Sequence, residues 1–297
     1  MPGEFDFIDW LRAQHKASEF VPVPQGDDLA VLKWRGEDLL LVGVDQVLDG
    51  VHFDSTVHPP RLIGRKVMNR NLSDCAAMAC LPAAAVTTAA LPRGVGLEYA
   101  KELYLGLREA ADPFGCAIVG GDTASWDGKL VLTVTILGRS AGIAPVTRTG
   151  AKVGDEVYVT GPLGGSILGR HLTFEPRVAL ARQLAGTGRV TAMIDLSDGL
   201  ARDLRHICRG SGVGAVVEAE NIPIHEDAVR LSHQDGRSPL DHALADGEDH
   251  ELLLTGRLDG LNLPVTRIGR IVPGSDVRLE RDGRTEPLAL QGWEHRI

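Results

Sequence analysis

Positive charge is scarce in this chain of 297 residues: 31 lysines and arginines face 40 aspartates and glutamates, for a formal net charge of −9. That balance excludes a nucleic-acid binder, because a phosphate backbone demands a basic surface. It would also repel ATP unless divalent cations mediate. Long apolar runs are missing as well, and no stretch approaches the roughly 18 residues of a membrane span. The first residues, interrupted by Glu4, Asp6 and Asp9, lack the basic start and apolar core of a signal peptide. A soluble, cytoplasmic protein is expected, with no membrane partner. Only four cysteines occur, at Cys75, Cys80, Cys116 and Cys208, without a CxxC pair; they read as reduced, mostly buried thiols. Aromatic residues make up just 4% of the chain while glycine reaches 35 residues, which suits an α/β protein with many tight turns. The length allows one large or two medium domains with substantial cores.

Apolar runs alternate with helical patterns. Strands are expected over 39–44, 83–90, 116–119 and 130–137, and helices over 61–79 and 97–111. Ile63, Val67, Leu72, Ala76 and Ala79 fall roughly along one face of the first helix, and Pro82 stops it. A turn-rich stretch over 138–154 contains Pro145 and marks the boundary between a domain over 1–147 and a second over 148–297. The alternation then restarts, with strands over 156–160, 190–194, 215–217, 251–254 and 265–271 and helices over 178–184 and 200–209. Strands alternating with helices indicate α/β or α+β layering in both halves. One internal echo exists: Asn71-Leu72-Ser73-Asp74 and Asp195-Leu196-Ser197-Asp198 each sit at the start of a helical pattern.

Six carboxylates sit in short turn-like motifs beside apolar runs. They are Asp28 in Gly26-Asp27-Asp28, Asp45 after an apolar strand, Asp74, Asp122 in Gly120-Gly121-Asp122-Thr123, and Asp195 and Asp198 around Leu196-Ser197. Three of these have bland readings that stay open: a surface turn at Asp28, a cap or solvated residue at Asp74, a hairpin turn at Gly120-Gly121. Asp45 lies where open α/β sheets place ligands. Two glycines before Asp122 permit close approach of backbone to a ligand. The spacing of Asp195 and Asp198 puts both on one helical face, with Ser197 free to bond phosphate or to cap the next helix. Asp246, Glu248, Asp249 and Glu251 abut the Leu252-Leu253-Leu254 run. No basic cluster lies nearby in sequence. Converging carboxylates repel unless cations bridge them, and oxygen-only ligands favour hard ions such as Mg²⁺. Such a site usually handles phosphates, so phosphoryl transfer is the first hypothesis.

In order, these motifs resemble the thiamine-monophosphate kinase family, part of the superfamily that includes aminoimidazole ribonucleotide synthetase and selenophosphate synthetase. The likeness runs from Phe5 to Trp293. Its further anchors are Asp49-Gly50-Val51-His52-Phe53, Thr147-Arg148-Thr149-Gly150-Ala151-Lys152, Gly247-Glu248-Asp249 and Gly292-Trp293. The resemblance implies a two-domain ATP-binding fold of the aminoimidazole ribonucleotide synthetase type, its N-terminal sheet forming a barrel across a homodimer and its C-terminal half an α/β layered domain. It implies several Mg²⁺ ions on Asp28, Asp45, Asp74, Asp122, Asp195 and Asp198. Gly121, Arg148 and Ser197 would meet ATP phosphates and Tyr104 would lie near the nucleotide. His52, Glu248 and Trp293 would contact thiamine monophosphate, an indole suiting its cationic ring. Asp45, Asp122, Arg148 and Asp198 would carry the chemistry.

The chain departs from the family pattern in three places. Gly43 and Val44 precede Asp45, and Gln46 follows, where the family typically has hydroxyl residues before the aspartate. The segment over 161–171 is much shorter than usual, and His250 stands where Tyr is usual. No residue looks like a covalent nucleophile, so direct transfer from ATP to thiamine monophosphate is expected. The competing readings are another ATP-dependent enzyme of the superfamily and a nucleotide-binding paralogue with weakened catalysis.

Overall fold

A computed structural model describes residues 18–23, 26–289 and 292. Trp293 lies outside the described residues. In the first half, β1 (Ala30–Lys33), β2 (Leu39–Leu48), β3 (Leu81–Pro92), β4 (Ala117–Trp126) and β5 (Val131–Arg139) form one sheet in the order β1-β2-β5-β3-β4. Its pairs are antiparallel except β3 with β4, the one neighbouring pair that needs a helical crossover. Among the described residues two helices, α1 (Pro60–Ala77) and α2 (Leu97–Ala111), accompany it, and α2 is that crossover. Leu132, Val134 and Ile136 alternate inward along β5 and, with Leu130 just ahead of it, share a core with Ile63, Val67 and Leu72 of α1 and Leu103 and Leu107 of α2. The two helices touch backbone to backbone: a Cβ on Gly64 would sit 2.0 Å from the Leu103 carbonyl oxygen. The last strand, β4, is exposed along nearly its whole length.

Among its described residues the second half holds seven strands: β6 (Glu156–Val159), β7 (Val190–Asp195), β8 (Gly214–Glu218), β9 (Leu252–Gly256), β10 (Thr266–Val272), β11 (Val277–Arg281) and β12 (Arg284–Pro287). Their order is β12-β11-β8-β10-β6-β9-β7, with β8 and β11 the parallel pair. Helices α3 (Val178–Gly186), α4 (Leu200–Ser211), α5 (Glu226–Asp235) and α6 (Pro239–Ala245) complete it. Alternation decides which helix covers which face. Ile194 and Leu253 join Leu200, Leu204 and Ile207 of α4, while Met193, Leu252 and Leu254 join Val178, Ala181 and Leu184 of α3. Ala76 and Ala79, at and just past the end of α1, enter that second cluster. The first helix therefore ends against the second sheet, and this placement builds the site.

The expected α/β layering in two halves is present, and among the described residues the sheet of a single chain forms no closed barrel. Several local expectations are corrected. Asp45 lies inside β2, which continues to Leu48, and Gly120-Gly121-Asp122-Thr123 lies inside β4 rather than in a turn after it. Asn71-Leu72-Ser73-Asp74 occupies the last turns of α1, not its start. Asp195 ends β7 and Asp198 stands in the loop before α4, so the two share no helical face. The four thiols are free and buried, as expected. No helix among the described residues is long and apolar enough to cross a membrane.

Candidate functional site

Three of the six aspartates meet. Asp28 arrives just ahead of β1, Asp74 near the end of α1 and Asp195 at the end of β7, and their ligand oxygens lie within 4.8 Å of one another. Arg148 holds Asp28, donating from Nη2 to Oδ1 at 2.6 Å and from Nε to Oδ2 at 3.3 Å, while its backbone N–H donates to Asp27 at 2.6 Å. Asp195 Oδ2 accepts the Ser73 hydroxyl at 2.6 Å and lies 3.1 Å from His250 Nδ1. The His250 ring is stacked on Phe174 with centroids 4.0 Å apart.

The electrostatics record the crowding. Burial, opposed by Arg148, lifts the Asp28 carboxyl to about 6. Burial and then the charges of Asp45, Asp195 and Asp28 push Asp74 well above the usual carboxylate range. For Asp195 burial also acts upward, but His250, Ser73 and Arg148 outweigh it and keep that carboxyl low. Buried oxygens that repel one another this strongly are a donor set for a hard cation, and their chemistry fits Mg²⁺.

Asp45 is placed differently. Its Oδ2 accepts from Arg70 Nε at 3.0 Å, and Arg70 Nη1 donates to Glu248 Oε1 at 3.1 Å. The other Glu248 oxygen is 2.5 Å from the ammonium of Lys66, whose side chain is fully buried. Burial acts against ionisation of Glu248, yet Lys66 and Arg70 hold its carboxyl down to about 2. Lys66 is pulled to about 8, burial outweighing the same pair. Glu248 and His250 both adopt left-handed backbone, at φ 52° and 51°, a strain of about 1 kcal/mol or more each. Their N–H groups are fixed on the carbonyls of Ser197 and Leu196 at 2.8 and 2.9 Å.

Two cavities gather further expected residues. One of about 350 Å³ is lined by His52, Arg70, Ser197, Asp198, Arg237 and Glu248 among others, so it gathers four of the expected residues. The other, of about 480 Å³, lies between the helices and the outer strands and is lined by Tyr104, Gly121 and Asp122. Both fall in the size range of small-molecule sites. Asp122 is not brought to the three clustered aspartates. Strand registers put Asp45, Val134, Thr87 and Gly121 in one row and Gln46, Thr133, Thr88 and Asp122 in the next. Successive rows point to opposite faces, so Asp122 looks away from the face that carries Asp45.

Asp198 lies instead beside Asp203 and His206, with ligand atoms again within 4.8 Å. Asp203 Oδ2 accepts the N–H groups of Asp198 and Gly199 at 3.1 and 3.2 Å, pinning the loop. Lys66, Arg70, Asp203 and His206 were not singled out from the sequence. Lys66 and Arg70 are one turn apart on a helix, where the same pattern reads as a solvated face. Their carboxylate partner Glu248 lies 182 and 178 residues away.

Comparison with known proteins gives a consistent result. The description "AIR synthase related protein, N-terminal domain" matches residues 26–140, and "AIR synthase related protein, C-terminal domain" matches 152–282. A thiamine-monophosphate kinase from Rhodopirellula baltica is 43% identical over 308 residues, covering 98% of this chain and 97% of that protein. One from Aquifex aeolicus is 31% identical, covering 99% and 98%. Among solved structures, AaThiL complexed with AMPPCP and TMP superposes with a TM-score of 0.87 at 29% identity, over 99% of this chain and 97% of that one.

Proposed function

The chain belongs to the AIR synthase related family, and we infer on that premise that it is a kinase that phosphorylates thiamine monophosphate with ATP. The observation that carries the reading is the convergence of Asp28, Asp74 and Asp195, with two cavities that gather other expected residues. The cleft at Tyr104, Gly121 and Asp122 takes the nucleotide. The pocket at His52, Ser197, Asp198 and Glu248 takes the acceptor, and Trp293 would contact it.

The acceptor phosphate, with a second pKa of about 6, is mostly dianionic at neutral pH and needs no general base. What must be overcome is repulsion between polyanions, about 4 kcal/mol per pair of unit charges 4 Å apart at an effective dielectric of about 20. Mg²⁺ bound to these carboxylates supplies the neutralising charge. Asp28, Asp74 and Asp195 would hold it, with Asp198 contributing from the acceptor side. Arg148, already fixed beside Asp28, presents its charge to the donor's phosphates, and Ser197 offers a hydroxyl to the same group.

The working unit is a homodimer in which the sheets of two copies close a barrel. The exposed edge strand β4, with Val119 and Trp126 on it, supports this, as does Asp122, whose side chain faces away from the rest of its own protomer's site. The domains divide at 147/148, and the buried thiols suit a reducing, cytoplasmic setting. ADP release measured with thiamine monophosphate, with and without chelator, tests the reading. Turnover that requires both acceptor and divalent cation is expected. ATP binding without turnover indicates the weakened paralogue, and turnover only with other acceptors a relative.

A further inference from the structure

We propose that Arg70 is a built-in cation for Asp45, occupying the position a divalent ion would take on that carboxylate and binding the acceptor's phosphate from the pocket wall. The inference rests on the kinase reading above and sharpens one part of it. Asp45 stands outside the three-aspartate cluster and is bonded to the Arg70 guanidinium at 3.0 Å. Its neighbours bring no competing oxygen: Gly43 has no side chain, Val44 is apolar, and Gln46 points to the other face, donating to Thr133 at 3.1 Å. A divalent ion at Asp45 could draw on Asp74, whose carboxyl feels the Asp45 charge more than any other, but it would meet a permanent positive charge already in place.

The second half of the proposal follows from what holds Arg70. Glu248 accepts from it at 3.1 Å and from Lys66 at 2.5 Å. Lys66 neutralises Glu248 from behind, so Glu248 orients Arg70 without consuming its charge. Asp45 and Glu248 use Nε and Nη1 of a group with five N–H donors, and Arg70 lines the acceptor cavity beside Ser197 and Asp198. Of the other cationic side chains lining that cavity among the described residues, Arg237 is bonded to Asp246 at 3.2 Å. A planar guanidinium held from two sides is suited to a phosphate dianion.

The test counts cations, independently of turnover. Mn²⁺ bound per chain is measured at equilibrium with a non-hydrolysable ATP analogue, in wild type, Arg70→Met, Arg70→Lys and Asp45→Asn. Arg70→Met is expected to bind one more Mn²⁺ than wild type, and Arg70→Lys the same number as wild type. Asp45→Asn is expected to lose none, because its carboxylate holds no divalent ion. In steady-state kinetics Arg70→Met should raise KM for thiamine monophosphate by roughly 10- to 100-fold, the loss of a charged hydrogen-bonding group, with KM for ATP nearly unchanged. Loss of a Mn²⁺ in Asp45→Asn overturns the proposal, as does a rise confined to KM for ATP. If wild type shows no turnover with thiamine monophosphate, the kinase reading fails, while the Mn²⁺ count still decides what occupies Asp45.

Discussion

Glu248→Gln is the substitution whose consequences can be worked furthest from the structure. It keeps shape and removes one charge from between Lys66, with no exposed side-chain surface, and Arg70. At an effective dielectric of about 20, unit charges 2.5 Å apart attract by about 7 kcal/mol. Even with that attraction Lys66 sits near 8, well below its ordinary 10.5, so burial still disfavours its charge by roughly 3 kcal/mol. Glu248 is displaced downward from 4.5 to about 2, a gain of roughly 3 kcal/mol for its charged form. The two shifts act in opposite senses on stability, and the intact pair is close to neutral. Breaking it is not neutral, because Lys66 is left buried with its partner gone: a loss of about 3–5 kcal/mol is expected. Urea unfolding measures it. The double variant Lys66→Met/Glu248→Gln should recover most of the loss, since it leaves no unpaired buried ammonium.

The pH dependence carries a further check. A carboxyl whose folded pKa is depressed contributes stability that is full above its unfolded value, about 4.5, and is lost as pH falls towards 2. The wild-type advantage over Glu248→Gln should shrink over that window. A cost below about 1 kcal/mol at neutral pH, or no recovery in the double variant, would refute the reasoning.

Three other outcomes follow. Asp74→Asn removes one charge from the crowded aspartates, so the metal-free protein should gain about 0.5–2 kcal/mol while Mg²⁺ no longer raises its Tm; an unchanged Mg²⁺ response contradicts the site. His171 is buried, with Nδ1 against the Ser166 carbonyl at 2.9 Å and Nε2 unbonded. Burial, then Lys66, lowers it to about 4; between about pH 6.5 and 4 only the unfolded chain takes up this proton, so wild type should lose about 3 kcal/mol relative to His171→Phe as pH falls through that window, and parallel pH profiles would exclude it. Gly64→Ala puts a methyl 2.0 Å from the Leu103 carbonyl and must part α1 from α2, at a cost of about 1–3 kcal/mol visible as a lower urea midpoint; an unshifted midpoint means the helices do not touch there.

Most of the strands and helices were legible because each buries an apolar face. The run over 39–44 and the helical stripe from Ile63 to Ala76 are local patterns, and they form a strand and a helix, although the strand runs on to Leu48 and the helix stops at Ala77. The weakly patterned β1, β11 and β12 escaped notice, as did the short α5 and α6. Gly120-Gly121-Asp122 misled for a related reason: glycines after an apolar stretch resemble a turn, but the parallel register with β3 extends the strand through them.

The aspartates show where local reading ends. Their types and neighbours identified an oxygen-rich phosphate site, because a carboxylate's chemistry is carried by the residue itself. Which of them meet was decided by α1 ending on the second sheet, which brings Asp74 and Ser73 to Asp195. The same packing delivered Lys66 and Arg70 to Glu248 across nearly two hundred residues, turning apparent solvated helix charges into the partners of the site. Charge is written in the chain, whereas the distance and burial that set its energy exist only once the two halves have packed.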